Sequence, residues 1–443
     1  MPAGAPAGTP SAGIVPPDSQ DALRKAVHRK IFWRLIPFLM VCYAVAYLDR
    51  VNIGFAKLGM SAELGLSEGV YGLGAGIFFI GYFLFEVPSN AMLHRYGART
   101  WITRIMITWA ILSGACAFIN GPMAFYIARF FLGIAEAGFF PGIILYLTYW
   151  FPASRRGQII AIFMVAIPLA GLVGAPLSGA IMTWFDGHAG WAGWRWMFVI
   201  EAVPALLLGL ALPFILSSRV SEARWLTDAE KALIEADLAA ETSTQAIAHG
   251  GLRDLLVDPL VLRLAAIYFC CVMGQYGVTF WLPTLVAAAG KGSALMTGLL
   301  TALPYGCAVI AMPLTCGHSD RTGERHWHLF IPMAVGGIGL LAATFVHANV
   351  PLSMAILCIA TAATLTATPM FWTLPTSVMR GRTAAVGIAA INSIANIAGF
   401  ASPAIVGFVN DRTGTPIAGM GILTAVLIVG GLLALSLRRK IAR

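Results

Sequence analysis

Charged side chains stand inside apolar runs of this chain, among them Asp49, Arg50, Arg129, Glu136, Arg195 and Glu201. A charge at the centre of a hydrocarbon layer costs about 2.5–3.5 kcal/mol on insertion scales, so such residues face a protein interior or a water-filled cavity and mark pathways for ions or substrates. Arg129 and Glu136 are seven residues apart, two turns along one helix face. Gly133 lies between them and is expected to leave room above the backbone. The pair suits a carboxylate clamp next to a proton site, because arginine stays charged and holds a carboxylate with two parallel hydrogen bonds. A buried ion pair that only joins two helices has the same pattern. Asp49 and Arg50 are adjacent and point about 100° apart, so each must address a different neighbour. Tyr43, Tyr47 and Arg50 form one stripe that faces a central cavity, and Asp49 is expected to turn toward the fourth span and Arg129. Burial raises a carboxyl pKa and a nearby arginine lowers it, so Asp49 and Glu136 are the candidate proton-coupling acids. Arg195, in GWRWMF, reads as an anchor at the outer mouth of its span. Glu201 lies deeper and suits a hydrogen-bonding role.

Neutral polar groups complete the candidate site. GQYG at 274–277 places Gln275 and Tyr276 between glycines, as expected where a helix breaks beside a cavity. Trp372 and Thr373 precede Pro375, Asn392 and Asn396 are one turn apart, and Tyr82 sits in the second apolar run. These groups can bind hydroxyls and the far end of a substrate, or hydrogen-bond between helices.

The elements that must hold these residues follow from composition. The 443 residues are 58% hydrophobic and 11% charged, with a mean hydropathy of +0.80. Soluble domains are about 45–50% apolar and about 25% charged. The apolar runs are too long and continuous for barrel strands. The chain therefore reads as an all-α membrane protein with twelve transmembrane helices, near 32–58, 70–92, 101–119, 123–150, 157–184, 194–216, 260–287, 295–316, 327–346, 351–377, 384–409 and 415–437. A disordered tail over 1–31 precedes a six-helix bundle at 32–216. A linker at 217–258 carries a short amphipathic helix opened by a capping box, Thr227 and Glu230. A second bundle covers 259–437, and 438–443 is a tail. Lys and Arg gather in alternate loops, which places both termini in the cytoplasm and the protein in the inner membrane. That distribution explains the net charge of +9 without a nucleic-acid partner. The seven cysteines lie in or beside apolar spans without zinc spacing, and no disulfide is expected. No nucleotide loop, metal box or nucleophile elbow occurs in the sequence. No cofactor and no enzymatic activity are therefore expected, and transport must draw on a gradient.

The two halves repeat. NAMLHRYGAR follows the second span and CGHSDRTGER the eighth, aligning Arg95, Gly97 and Arg99 with Arg321, Gly323 and Arg325. Such matched loops suit a duplicated unit whose arginines cap helix ends and hold the halves together on the cytoplasmic face. This loop resembles the signature of the major facilitator superfamily. YLDRVNIGFA (47–56), RFFLGIAEAGFFPGIILYLTYWFPASRRG (129–157), GWRWMFVIEAVPALLLG (193–209) and FWTLPTSVMRGRTAAVGIAAINSIANIAGF (371–400) resemble its anion:cation symporter family, in the branch for tartrate, phthalate and related acids. The superfamily's acid before the first basic residue is Asp320 in the second half, but His94 takes that place in the first. The resemblance implies import of a small organic anion with protons by alternating access, with Asp49 and Glu136 linked to protonation, and a monomer in the bilayer is expected. An exporter or an anion exchanger would share the fold. GLVGAPLSG (171–179) resembles a fifth-span stretch discussed for exporters, although small residues at this spacing also serve close helix packing.

Overall fold

The computed structural model describes residues 17–244, 258–290, 292–378 and 381–441, and every regular element among them is helical. In the first half these are α1 (Pro17–Leu64), α2 (Glu68–Tyr96), α3 (Ala98–Ala115), α4 (Pro122–Glu136), α5 (Phe139–Thr148), α6 (Ala153–Met164), α7 (Ala166–Trp184) and α8 (Gly193–Ile215). The linker holds α9 (Asp228–Thr244). The second half holds α10 (Pro259–Gly290), α11 (Ala294–Thr322), α12 (His326–Phe345), α13 (Val350–Val378), α14 (Gly381–Thr413) and α15 (Pro416–Ile441). Among the described residues, twelve helical stretches are long and apolar enough to cross a membrane. The repeat is visible in detail: α2 and α11 have 29 residues each, and each starts at a serine N-cap, Ser67 or Ser293, whose hydroxyl accepts a backbone N–H three residues on.

Four expectations need correction. The first helix begins at Pro17, so the part of the expected tail over 17–31 is helix; residues 1–16 lie outside the described residues. This extension is held by α9, where Lys30 bonds both carboxylate oxygens of Glu230 (2.9 and 2.8 Å) and His28 and Arg24 reach Asp237. The fourth span is not continuous. Ala137 leaves the helical region and Gly138 is left-handed at φ 85°, and Pro141 has no N–H to give the Ala137 carbonyl. The fifth span parts at Val165, where Pro168 likewise offers no N–H to the Met164 carbonyl. Conversely, α10 runs unbroken through GQYG. A Cβ on Gly274 or Gly277 would meet Leu427 or Leu423 of α15, so these glycines admit a neighbouring helix and do not free the backbone.

The capping box forms reciprocally: Thr227 N–H donates to Glu230 (2.8 Å) and Glu230 N–H to the Thr227 hydroxyl (3.3 Å). The Glu230 carboxyl is held below its ordinary value, first by the Lys30 hydrogen bond and then by the Thr227 N–H. A carboxyl with a depressed folded-state pKa stabilises fully above its unfolded value, about 4.3, and loses that contribution as pH falls through the depressed value. Docking of α9 on α1 is therefore expected to loosen in acid. Proteolysis of the linker, timed as pH is lowered from 6 toward about 3, should accelerate, and Glu230→Gln should show the fast rate already at pH 6.

The two halves meet along α2–α14 and α7–α11. At four glycines these seams are backbone against backbone. A Cβ on Gly72 would strike the Pro403 carbonyl, one on Gly407 the Glu68 carbonyl, one on Gly179 the Ala294 carbonyl and one on Gly298 the Ala175 carbonyl. The small residues of GLVGAPLSG thus serve packing here. Polar contacts fasten the end remote from the linker. Asp411 accepts from Ser67 Oγ (2.7 Å) and Gly69 N–H (2.8 Å), Thr183 Oγ1 accepts from Leu295 N–H (2.9 Å), and Lys57, paired with Glu68 at 2.7 Å, lies 4.0 Å over the Trp281 ring.

At the linker end the two repeated loops stay within their own halves. Gly97 takes φ 83° between α2 and α3, and its N–H donates to Leu93 O (2.9 Å). Arg99 N–H reaches Ser218 Oγ (3.4 Å), and Arg95 lies over Tyr96. Gly323 is left-handed at φ 68°, Asp320 pairs with Arg325 at 3.7 Å, and Arg321 is exposed. The expected cross-half clasp by these arginines is therefore not what their described contacts form; cross-half bonds lie at the other end and beside the central cavity.

Candidate functional site

Between the halves lies a cavity of about 60 Å³. Tyr43, Tyr47 and Arg50 of α1 line it, as their stripe implies, with Tyr82, Gln275, Tyr276, Asn392 and Asn396. Tyr47 joins the halves across one wall: its hydroxyl is 3.2 Å from Thr279 Oγ1 and accepts from Gln275 Nε2 (3.1 Å). Gln275 Oε1 accepts from Thr368 Oγ1 at 2.8 Å. Trp372 stands one layer back, donating from Nε1 to the Tyr268 hydroxyl at 3.2 Å, and Thr373 bonds the Met370 carbonyl.

Arg50 is the cation of this wall. Its guanidinium donates to Glu136 Oε1 in a buried ion pair and lies 5.5 Å from the centre of the Tyr82 ring. Glu136, 1% exposed, is the last residue of α4, so the break at Ala137–Gly138 sits directly behind it. The pairing corrects the expectation that Arg129 is the partner of Glu136. Arg129 is 1% exposed and lies 4.8 Å from the centre of the Phe78 ring. Its three nitrogens have no hydrogen-bond partner among the described residues. It does not line the cavity. The cause is Gly133, which leaves no open room: a Cβ there would strike the Phe78 carbonyl of α2. The stripe between Arg129 and Glu136 is therefore a contact of α4 with α2.

Asp49 also turns elsewhere than expected. Its carboxylate accepts from Trp109 Nε1 and Ser113 Oγ (3.0 Å) of α3 and from Asn52 Nδ2 (3.3 Å). Asn52 Nδ2 also donates to Glu201 Oε2 (3.0 Å), and Ser178 Oγ to Glu201 Oε1 (2.6 Å). Asp49 and Glu201 thus share one buried polar chain inside the first half, both at 1–2% exposure. The hydrogen bonds to both carboxylates help keep such a chain tolerable in low dielectric. Arg195 is tied more firmly than an anchor requires: it bonds Glu63 at 2.8 Å and the Ala117 carbonyl at 2.6 Å.

Sequence reasoning missed Glu86. It is 7% exposed on α2, one turn from Tyr82, and accepts from Asn396 Nδ2 of the other half at 3.3 Å. The signal was present as a lone acid in the apolar run FFIGYFLFEV. Chemically, the cavity offers one guanidinium already satisfied by a carboxylate, faced by hydroxyls and amides.

Residues 39–403 match the model of the Major Facilitator Superfamily. A putative tartrate transporter of Agrobacterium vitis is 46% identical, over 94% of this chain and 92% of that protein. A quinolone resistance transporter of Acinetobacter baumannii is 38% identical, over 95% and 96%. A bacterial homologue of the human lysosomal transporter Spinster, solved in an inward-facing and occupied conformation, matches with a TM-score of 0.73, covering 91% of this chain and 96% of its own. Its 17% identity makes that a likeness of fold. The chain belongs to the Major Facilitator Superfamily and is a multi-pass membrane transporter, not an enzyme.

Proposed function

We propose that this protein imports a small organic anion with protons across the inner membrane, as a monomer with both termini in the cytoplasm. The observation that carries this reading is the buried Arg50–Glu136 pair in the cavity wall. A substrate carboxylate and the Glu136 carboxylate compete for one guanidinium. Protonating Glu136 removes the competitor and its like charge, so proton and anion each favour the state that holds the other. Gln275, Asn392 and Asn396 then receive the hydroxyls or far end of the substrate, and the halves rock about their seams to expose the site on either side. The buried Asp49–Asn52–Glu201 chain provides a second proton-accepting centre. The loops at Arg95–Arg99 and Asp320–Arg325 meet when the linker end closes. Tartrate-like hydroxy acids and aromatic carboxylates are the substrate classes that this site and the 46% identical relative favour.

The test is uptake of labelled L-tartrate and a panel of hydroxy and aromatic carboxylates into vesicles holding the purified protein. With the outside more acidic, one of them should rise above its outside concentration and fall back when a protonophore is added. Flux that ignores the pH gradient would overturn proton symport. The 38% identical quinolone resistance relative favours a second reading, export; net efflux of a preloaded substrate from intact cells would select it.

A further inference from the structure

The charges around the cavity do not balance as a site for a dianion. Among its described lining residues Arg50 is the one cation; the other polar ones are tyrosines, Gln275, Thr368, Asn392 and Asn396. Arg129 is buried against Phe78 and does not line the space. Behind Asn396, a residue that does line it, stands Glu86, which accepts the Asn396 amide and lies one turn along α2 from Tyr82. Of the other buried acids, Glu136 pairs with Arg50, and Asp49 and Glu201 are bonded to Trp109, Ser113, Asn52 and Ser178 inside the first half.

We propose that Glu86 is a charge filter, which restricts the cavity to substrates carrying one carboxylate and an uncharged polar far end. This rests on the proposed anion transport and narrows its substrate class. One carboxylate is neutralised by Arg50 once Glu136 gives it up. A second has no cation to meet; it must be desolvated beside amides that Glu86 already polarises with the wrong sign. An unpaired buried charge is strongly unfavourable, and a like charge behind the same amides adds to that cost. A hydroxyl or amide at the same place accepts from the Asn392 amide or donates to Gln275 Oε1 at no such cost. A dicarboxylic acid therefore enters as its singly protonated form, or after one of its carboxyls has been masked.

The experiment compares L-tartrate with its monoamide, at pH 7.5, where both free carboxyls of tartrate are ionised. Binding to the purified full-length protein is measured by calorimetry, and the readout is the ratio of the two affinities. In the wild type the monoamide is expected to bind at least about tenfold more tightly, the factor that 1.4 kcal/mol provides. In Glu86→Gln the ratio should fall to within about threefold, because tartrate gains. Equal or tighter binding of tartrate by the wild type overturns the filter while leaving anion transport intact. A preference that persists unchanged in Glu86→Gln overturns the role of Glu86. If neither these two nor a wider set of mono- and dicarboxylates bind, anion transport fails, and the filter fails with it. Should Glu86→Gln not fold, the wild-type ratio decides the charge limit without it.

Discussion

Arg50→Ala is expected to eliminate substrate binding and to destabilise the protein. The substitution leaves Glu136, 1% exposed, without its ion-pair partner. Breaking a buried pair from one side costs about 3–5 kcal/mol, because the remaining charge stays buried and unpaired. The double variant Arg50→Ala, Glu136→Gln removes that orphan charge and should recover most of the stability, but no binding. Arg50→Lys separates charge from shape: an ammonium keeps the charge but not the planar fork, so affinity should drop by about ten- to a hundredfold, or about 1.4–2.8 kcal/mol. Thermal unfolding in detergent measures the stability terms and calorimetry the binding term. If Arg50→Ala bound substrate with wild-type affinity, Arg129 would become the leading clamp.

Glu136→Gln should uncouple the proton from the substrate. The amide resembles the protonated acid, so Arg50 is released at every pH and binding should lose its pH dependence. Exchange of substrate for substrate across a vesicle should continue. Accumulation should not, because no proton is gained or lost at this position during the cycle. A one-unit pH gradient can drive at most about tenfold accumulation per coupled proton; the variant should stay near a ratio of about one. Labelled substrate in reconstituted vesicles measures both modes. If Glu136→Gln still concentrates substrate under a pH gradient, the proton travels on the Asp49–Glu201 chain, and Asp49→Asn is the next variant.

The sequence carried the architecture further than the partnerships. Span number, the repeat, the capping box at Thr227 and the α1 stripe all follow from periodicity and local chemistry, and each is present in the structure. Partner choice among the buried charges did not follow. Arg129 and Glu136 share a helix face, yet the face is spent on α2, because Gly133 lets the backbones close and Phe78 covers the arginine. Asp49 could be shown to diverge from Arg50, but nothing local says that Trp109 and Ser113, on another helix, will meet it. GQYG looked like a breakage point, since glycine pairs serve both to loosen a backbone and to admit a neighbour. Glu86 disappeared into the average of its apolar window, where one acid among aromatic residues barely lowers the hydropathy.

The glycine seams have a consequence for the energy scale of the transport cycle. Where side chains interlock, parting two helices means resetting rotamers and opening voids, and the closed arrangement becomes a deep well. At Gly72, Gly179, Gly298 and Gly407 the facing surfaces are main chain, smooth on the scale of a methyl group and without knobs to withdraw. Much of the preference for this form then resides in a handful of polar fasteners at Asp411, Thr183 and Lys57, with those of Tyr47 and Asn396 beside the cavity. A net hydrogen bond contributes about 0.5–1.5 kcal/mol, so a few of them hold the two access states within reach of what one bound ligand can tip. Had these four positions been built from leucines and phenylalanines, the molecule would be sturdier, and it would spend its working life in one orientation.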